Sequence, residues 1–150
     1  MSIQFLDMRI AQDSTSDTPA LGLSSSSFPY TFGDIGLQTT SVSPENVGLV
    51  RVTLNAYARL TLSASSSSTV VPNATFTILR NGTQIFSTVY QKPATQFESI
   101  YEMSGLTAVD YPPAADVLSG QLRYTIYVVT NYGITLGARC FSGSAVAGNG

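Results

Sequence analysis

The sequence predicts an all-β protein, an antiparallel β-sandwich or jelly roll with an extended N-terminal arm. Apolar and polar residues alternate strictly over Val50–Leu62, the pattern of a long strand with one buried face. Asn81 and Gly82 separate two runs of β-branched and aromatic residues, and this pair is typical of a type I′ hairpin turn. Helical periodicity is absent from the sequence. Because each sheet must bury one face, six or more strands without helices favour two packed sheets.

Length and composition indicate one folded domain with a surface that is polar but carries few charges. The 150 residues fit a single hydrophobic core, and a hydrophobic share of 43% is enough to fill one. Charged residues make up 11% of the chain, against about 25% in a typical soluble domain, whereas Ser and Thr together make up about a quarter. The net charge of −2 gives copies of the chain little electrostatic repulsion, a condition that promotes association.

The composition excludes several classes of chemistry. The chain has no His and a single Cys, so it cannot build a Ser-His-Asp or Cys-His catalytic site, a histidine zinc site or a cluster of cysteine ligands. Its glycines form no phosphate-binding loop, and its slight negative charge has the wrong sign for nucleic acid. We therefore expect no enzymatic activity, no cofactor, no metal ion and no nucleic-acid partner.

The sequence also lacks membrane and secretion signals. No stretch approaches the roughly 18 apolar residues of a membrane span, so we expect no membrane partner. The first residues lack the basic and apolar regions of a secretory signal peptide, which predicts synthesis in the cytosol.

Further strands follow along the chain, joined by polar connections. If the turn at residues 81 and 82 is a two-residue loop, Ile78 pairs with Ile85 in the hairpin. Residues 63–68, which are rich in serine, and residues 105–119, which contain two prolines, are interpreted as connections. We place the strands at residues 3–10, 50–62, 74–80, 83–90, 97–103 and 121–131, and from residue 134 onward.

The alternation in the last strand predicts that Cys140 is buried. A free cysteine on a core-facing position behaves as a small, inert hydrophobe. The residues that share its parity are Ile134, Leu136 and Ala138, and those of opposite parity are Thr135, Arg139 and Phe141.

Four carboxylates are candidates for functional groups. Glu98 and Glu102 share one face of a candidate strand, but the spacing fits an ordinary surface as well as a glycosidase pair, and we expect no catalysis. Asp110 and Asp116 flank the proline-containing connection without the cluster of oxygen ligands that calcium needs, so we expect solvated side chains.

The N-terminal part differs from the rest. We divide the chain into residues 1–46, a strand followed by an extended arm, and residues 47–150, the sandwich domain. Residues 11–46 are polar and lack a clear period, so this segment either packs along the sandwich or reaches to a neighbouring subunit. We favour the second alternative, in which the strand at residues 3–10 adds to an exposed sheet edge of another copy.

Nine residues are candidates for self-association. The N-terminal strand and the aromatic residues of the arm supply most of them, and two outward tyrosines of the sandwich complete the set. Outward arginines at positions 51, 59, 123 and 139 accompany these tyrosines, either as part of a contact surface or as cross-strand pairs. The candidates are Ile3, Phe5, Met8, Ile10, Phe28, Tyr30, Phe32, Tyr57 and Tyr127.

Three segments resemble the exosporium protein C family of spore-forming bacteria. They are VRVTL at residues 50–54, FTILRNGTQIFST at residues 76–88 and GARCFSGSA at residues 137–145. The resemblance covers about residues 47–147 and leaves the N-terminal segment unmatched. It implies a non-enzymatic structural protein of the spore surface, made in the mother-cell cytosol, whose partners are itself and other spore-surface proteins. Related appendage fibres are cross-linked through several N-terminal cysteines, which this N-terminus lacks.

Two alternatives remain open. A virion component, such as a phage fibre or a decoration protein, shares cytosolic synthesis, a jelly roll and self-assembly. A lectin-like sandwich would stack sugars on tyrosines, although the absence of Trp argues against it. The tyrosines that would serve this purpose are Tyr57, Tyr101, Tyr111, Tyr127 and Tyr132.

Overall fold

The computed structural model describes residues 3–17, 20–24, 28–62, 71–91 and 99–149, and it consists of two antiparallel sheets packed face to face. A 3₁₀ helix over Pro44–Leu49 directly precedes the strand Val50–Leu62, and a short helix, α1, covers Ala114–Leu118. The strands are β1 (Gln4–Ser14), β2 (Leu21–Leu23), β3 (Tyr30–Gln38), β4 (Val50–Leu62), β5 (Asn73–Arg80), β6 (Thr83–Gln91), β7 (Ile100–Asp110), β8 (Gln121–Thr130) and β9 (Ile134–Ala147).

The strand order is that of a jelly roll. The five-stranded sheet has the order β1-β9-β4-β7, with β2 pairing the start of β9, and the four-stranded sheet has the order β3-β8-β5-β6. With the short β2 set aside, the chain crosses to the other sheet at every connection between these strands except the β5–β6 hairpin. Eight strands connected in this way form two Greek keys. The predicted fold class is confirmed.

The core lies between the two sheets. The alternation over Val50–Leu62 places seven apolar side chains of β4 in the interior, each at most 8% exposed. The alternation in β8 likewise holds, with four inward side chains that are almost fully buried. The inward residues of β8 are Leu122, Tyr124, Ile126 and Val128.

The β5–β6 hairpin has the predicted turn but a shifted register. Asn81 and Gly82 both have positive φ angles, 47° and 87°, as a type I′ turn requires. Ile78, however, pairs with Phe86, because Ile85 is an extra residue on β6 that has no partner on β5. The predicted pairing of Ile78 with Ile85 is therefore wrong by one residue, and the bulge explains the shift.

The described parts of residues 1–46 belong to the sandwich. β1 pairs with β9 from Gln4, opposite Ala147, to Ser14, opposite Arg139, and β3 pairs with β8 in the other sheet. In this single chain, the alternative in which the segment packs along the sandwich is the one observed. β1 and β3 of this segment are thus strands of the two sheets.

β7 is longer than predicted, and the connection after it contains a helix. Gly105 pairs with Tyr57 in the middle of β7, so this glycine does not end the strand as it was expected to do. α1 begins after Pro113, within the predicted connection. The serine-rich connection at residues 63–68 lies outside the described residues, as do residues 25–27 and 92–98.

A β-bulge near the start of β9 reverses the expected faces of this strand. Leu60 of β4 pairs with Leu136, but Ala58 pairs with Arg139, so two residues of β9 stand opposite Arg59. The buried residues of β9 before the bulge are Ile134 and Leu136, and after the bulge they are Arg139, Phe141, Gly143, Ala145 and Ala147.

Cys140 consequently lies on the outer face, half-buried, and the prediction that it belongs to the core is wrong. The N–H group of Ala138 donates to Oδ1 of Asp17 at 2.9 Å, which satisfies a backbone group at the bulge. A Cβ atom at Gly137 would clash with that same oxygen, so a larger residue there would displace the Asp17 carboxylate from the bulge. Asp17 and Gly137 thus stabilise the bulge that sets the faces of β9.

We expect Phe141→Ala to destabilise the protein by about 3–5 kcal/mol, because it leaves a cavity between the sheets. Cys140→Ala, one position away on the outer face, should cost less than about 1 kcal/mol. Urea denaturation of both variants measures the two losses. If Cys140→Ala proved the more damaging change, the assignment of the faces of β9 would be incorrect.

Candidate assembly surface

The outer face of β1 carries three large apolar side chains. Phe5, Met8 and Ile10 pair with Val146, Ser144 and Ser142 of β9, positions that point away from the core. Directly opposed residues of antiparallel strands project to the same face, so the three side chains of β1 point outward as well. They are 57 to 63% exposed.

The other candidates from the arm have different environments. Ile3 is also exposed, and Phe28 is 92% exposed at the end of the sandwich where β3 begins. Phe32 is 2% exposed and packs edge-on against Phe76, with ring centroids 6.1 Å apart. The hypothesis that Phe32 anchors the segment on another subunit is therefore wrong, because its parity in β3 directs it into the core of its own chain.

Tyr30 belongs to a polar cluster within the chain. Its hydroxyl donates to Oδ2 of Asp13 at 2.6 Å, and the guanidinium of Arg139 lies 5.6 Å from its ring centroid and donates to the same carboxylate. Burial and the neighbouring Asp13 raise the pKa of the Tyr30 phenol. Arg139 is buried, so its predicted outward position is wrong. The bulge in β9 that turns Cys140 outward also turns Arg139 inward.

The two outward tyrosines of the sandwich lie on opposite faces of the molecule. Tyr57 is 36% exposed at the centre of the five-stranded sheet, whereas Tyr127 is half-buried on the outer face of the four-stranded sheet. The structure therefore does not bring them into one contact surface.

β7 adds exposed apolar side chains that are not among the predicted residues for self-association. Tyr101, Met103 and Val109 are 56 to 66% exposed and pair with outward positions of β4. The sequence did not reveal this apolar face, because Gly105 and Thr107 interrupt its apolar residues. β1 and β7 are the two outer strands of the five-stranded order, so its outer face has an apolar margin on each side.

The centre of this face is polar but nearly uncharged. β9 and β4 present small or hydroxyl side chains there, and Oγ1 of Thr107 donates to Oδ1 of Asn55 at 2.8 Å. Burial raises the pKa of the Cys140 thiol, which favours its protonated form. The central side chains are Thr53, Asn55, Tyr57, Cys140, Ser142 and Ser144.

Arg51 and Arg59 are the only charged side chains that the described strands of this sheet direct to the outer face, and both are engaged. Arg51 donates to the carbonyl oxygen of Gly148 at 2.9 Å. Arg59 forms an ion pair with Asp17 and lies 5.2 Å from the ring centroid of Tyr101. The opposite face of the molecule differs, since it displays an exposed ion pair between Arg123 and Asp34.

Asp110 and Asp116 are not the solvated carboxylates that the sequence predicted. Arg80 donates to both oxygens of Asp110 at 2.8 Å and to Asp116 at 3.0 Å. The buried Tyr124 hydroxyl donates to Asp110 at 2.7 Å, and its pKa is raised by burial and by this carboxylate. The cluster joins β7 of one sheet to β5 and β8 of the other, so its role is structural.

The remaining carboxylates of interest are Glu98 and Glu102. Glu98 lies outside the described residues, and Glu102 is half-buried. Burial and the nearby Glu102 raise the pKa of Tyr90 to about 12. Within the part of the chain that the structure describes, no three His, Cys, Asp or Glu side chains are grouped so as to hold a metal ion.

None of the described helices is long and apolar enough to cross a membrane.

Comparisons with known proteins show the fold alone. No protein-family model matches the chain, and no curated protein matches its sequence. A structure of the infectious bursal disease virus Gx strain is similar with a TM-score of 0.53 and 9% identity, over 94% of this chain and 37% of that one. The VP2 subviral particle of the same virus is similar with a TM-score of 0.52 and 8% identity, over 94% and 36%. The chain therefore spans little more than a third of the length of these proteins, which share its sandwich fold.

We expect Asp110→Ala to destabilise the protein by about 3–5 kcal/mol, because it leaves Tyr124 without its acceptor and removes one of the two partners of Arg80. Asp34→Ala is the matched control, since it breaks an Asp–Arg pair whose two side chains are exposed, and its loss should be much smaller. Chemical denaturation at neutral pH measures both, and equal losses would contradict a structural role for the cluster.

Asp7 should make stability fall at acidic pH. Burial raises the pKa of the Asp7 carboxyl, but the net pKa is lowered. The hydrogen bonds that lower it come from the backbone N–H groups of Gln38 and Met8 and from the side chain of Arg9. A lowered folded-state pKa stabilises the fold above the unfolded pKa, and that stability is lost as pH falls through the folded value. In urea titrations from pH 6 to pH 2.5, Asp7→Asn should therefore lose less stability than the unmodified chain. If both proteins lost the same stability between pH 6 and pH 2.5, Asp7 would not be a source of the pH dependence.

Proposed function

We propose that this chain is a non-enzymatic structural subunit that assembles with copies of itself into an ordered layer, fibre or particle. The observation that carries the proposal is the row of exposed apolar side chains on β1, Phe5, Met8 and Ile10, on a face with few charges. Contiguous exposed apolar patches of this kind mark interaction sites in soluble proteins.

Two further observations support self-assembly. The net charge of −2 opposes association only weakly. The sandwich fold is shared with the VP2 protein of infectious bursal disease virus, which forms subviral and T=1 particles.

Contact through the outer face replaces the predicted addition of the N-terminal strand to a sheet edge. In the structure β1 already pairs with β9 of its own chain, so residues 3–10 would have to be exchanged between copies to add elsewhere. The side chains on the outer face of β1 are available without any such rearrangement.

For the setting of the assembly, we propose the bacterial spore surface, with synthesis in the mother-cell cytosol and other spore-surface proteins as additional partners. The resemblance of residues 47–147 to exosporium protein C supports this setting. A virion is the alternative, which the fold shared with VP2 favours. A glycan-binding role has less support, because Tyr57 and Tyr127 lie on opposite faces.

The proposal predicts that replacing the apolar side chains on the outer face of β1 abolishes assembly without unfolding the chain. The test variant is Phe5→Thr, Met8→Thr and Ile10→Thr combined, since threonine suits exposed strand positions. Negative-stain electron microscopy and size analysis should show ordered assemblies for the unmodified chain and monomers or small oligomers for the variant.

The matched control replaces two exposed valines on the opposite sheet, Val89→Thr with Val129→Thr, and it should still assemble. Circular dichroism of each variant verifies folding. A chain that stays monomeric at all concentrations would overturn the structural function.

A further inference from the structure

We propose that the outer face of the five-stranded sheet binds the same face of a second copy around a two-fold axis, with β1 of each copy over β7 of the other. The inference rests on the proposed function and adds the partner face, the axis and the residues that meet.

The two apolar margins are compatible with a two-fold axis parallel to the strands. A two-fold contact is self-complementary when each patch meets a patch of like character on the other copy. Rotation about an axis that runs parallel to the strands, between the stacked faces, places the β1 margin of each copy over the β7 margin of the other. The polar centre formed by β9 and β4 then meets the polar centre of the second copy.

The strand register determines which residues meet. One row across the sheet runs Met8, Ser144, Thr53, Val109, as the pairs of β1 with β9, β9 with β4 and β4 with β7 show. An axis between β9 and β4 therefore places Met8 over Val109 of the second copy, and Ser144 over its Thr53.

The same operation gives the contacts of the neighbouring rows, and on one side of the Met8 row it places Ile10 over Thr107 of the second copy. The row of Phe5 leads through Val146 and Arg51 toward Tyr111, which follows β7 and is 70% exposed. Phe5 of one copy thus lies near Tyr111 of the other. In the row of Cys140, the thiol lies over Tyr57 of the second copy.

Charge also favours this face over the opposite one. Arg51 donates to a backbone carbonyl, and the side chains of the Arg59–Asp17 pair are 37% and 45% exposed, against 63% and 47% for the Arg123–Asp34 pair, so less exposed charge has to be desolvated here. The outer face of the four-stranded sheet would bury the exposed pair of Arg123 and Asp34 instead.

The face is large enough for a stable contact. Four strands about 4.8 Å apart and 11 residues long, at about 3.4 Å per residue, give a face of roughly 20 by 37 Å, about 700 Å². Stable interfaces bury about 800 Å² per partner, and side chains at the margins add to the estimate.

The first test introduces a glutamate at one of two valines that are similarly exposed but lie on opposite faces of the molecule. Val109→Glu lies on the proposed interface, and Val89→Glu lies on the outer face of the four-stranded sheet, with exposures of 56% and 51%. Sedimentation of the full chain should show the dissociation constant of the dimer raised about tenfold or more by Val109→Glu, because a carboxylate then faces Met8 of the second copy. Val89→Glu should leave it unchanged.

A charge-pair rescue tests the register. Met8→Lys alone should weaken the dimer, and the double variant Met8→Lys with Val109→Glu should restore most of the affinity, since the new charges meet across the axis. Residues 8 and 109 of one copy are three strands apart, about 14 Å, so they cannot form an ion pair within a chain. Failure of the double variant to recover would overturn this register.

Cys140 provides an independent readout, because it is the only cysteine of the chain. With sheets about 10 Å apart and β9 beside the axis, the two β9 backbones lie about 11 Å from each other, and the two thiols, which both point into the interface, lie roughly 7 Å apart. A bismaleimide of that span should give covalent dimers from the unmodified chain and from Val89→Glu, but not from Val109→Glu. Cys140→Ser is the control for specificity.

The outcomes separate the two proposals. Assemblies that form equally well with Val109→Glu, without Cys140 cross-linking, would overturn the two-fold contact and leave the structural function standing. A chain that is monomeric at all concentrations would overturn both.

Discussion

The pairing of β9 with β1 on one side and β4 on the other is the interaction on which the rest of the structure depends. It places β1 and the long β4 in one sheet, so that a segment from the start of the sequence is fixed beside the last strand. The bulge at Gly137 and Ala138 then decides which side chains of β9 enter the core. Asp17 stabilises that bulge from a neighbouring connection and also pairs with Arg59 of β4. Backbone pairing and one carboxylate thereby determine the character of the outer face.

The few charges of the chain mainly connect its parts. Every arginine in the described residues except Arg51 forms an ion pair with an aspartate. The buried pairs lie where the two sheets meet, as with Arg80 and Asp110 at one side of the sandwich and Arg139 and Asp13 at another. Because charge is used in this way, the outer face of the five-stranded sheet can display apolar and hydroxyl groups without strong repulsion between copies.

Local patterns in the sequence were sufficient for the fold class and for the inward residues of β4 and β8, because a regular strand has a side-chain period of two. They failed at irregularities. The bulges at Ile85 and after Leu136 each shift the register by one residue, and no single residue type predicts a bulge at these positions. Gly105 resembles a strand end but lies inside a ladder. The polar cluster around Asp110 depends on residues from three strands and α1, so it could be found only in three dimensions. Of the candidate assembly surface, the β1 residues were identified from sequence, whereas Met103 and Val109 were not.

The antiparallel pairing of β1 with β9 places Gln4 opposite Ala147, so the two ends of the described chain lie side by side at one end of the sheet. Neighbouring termini at the surface are the arrangement that best tolerates circular permutation and fusion. A passenger domain attached at either end would therefore emerge from the same corner of the sandwich. In an ordered array, that corner would repeat with the spacing of the subunits, so fused passengers would be displayed at regular intervals.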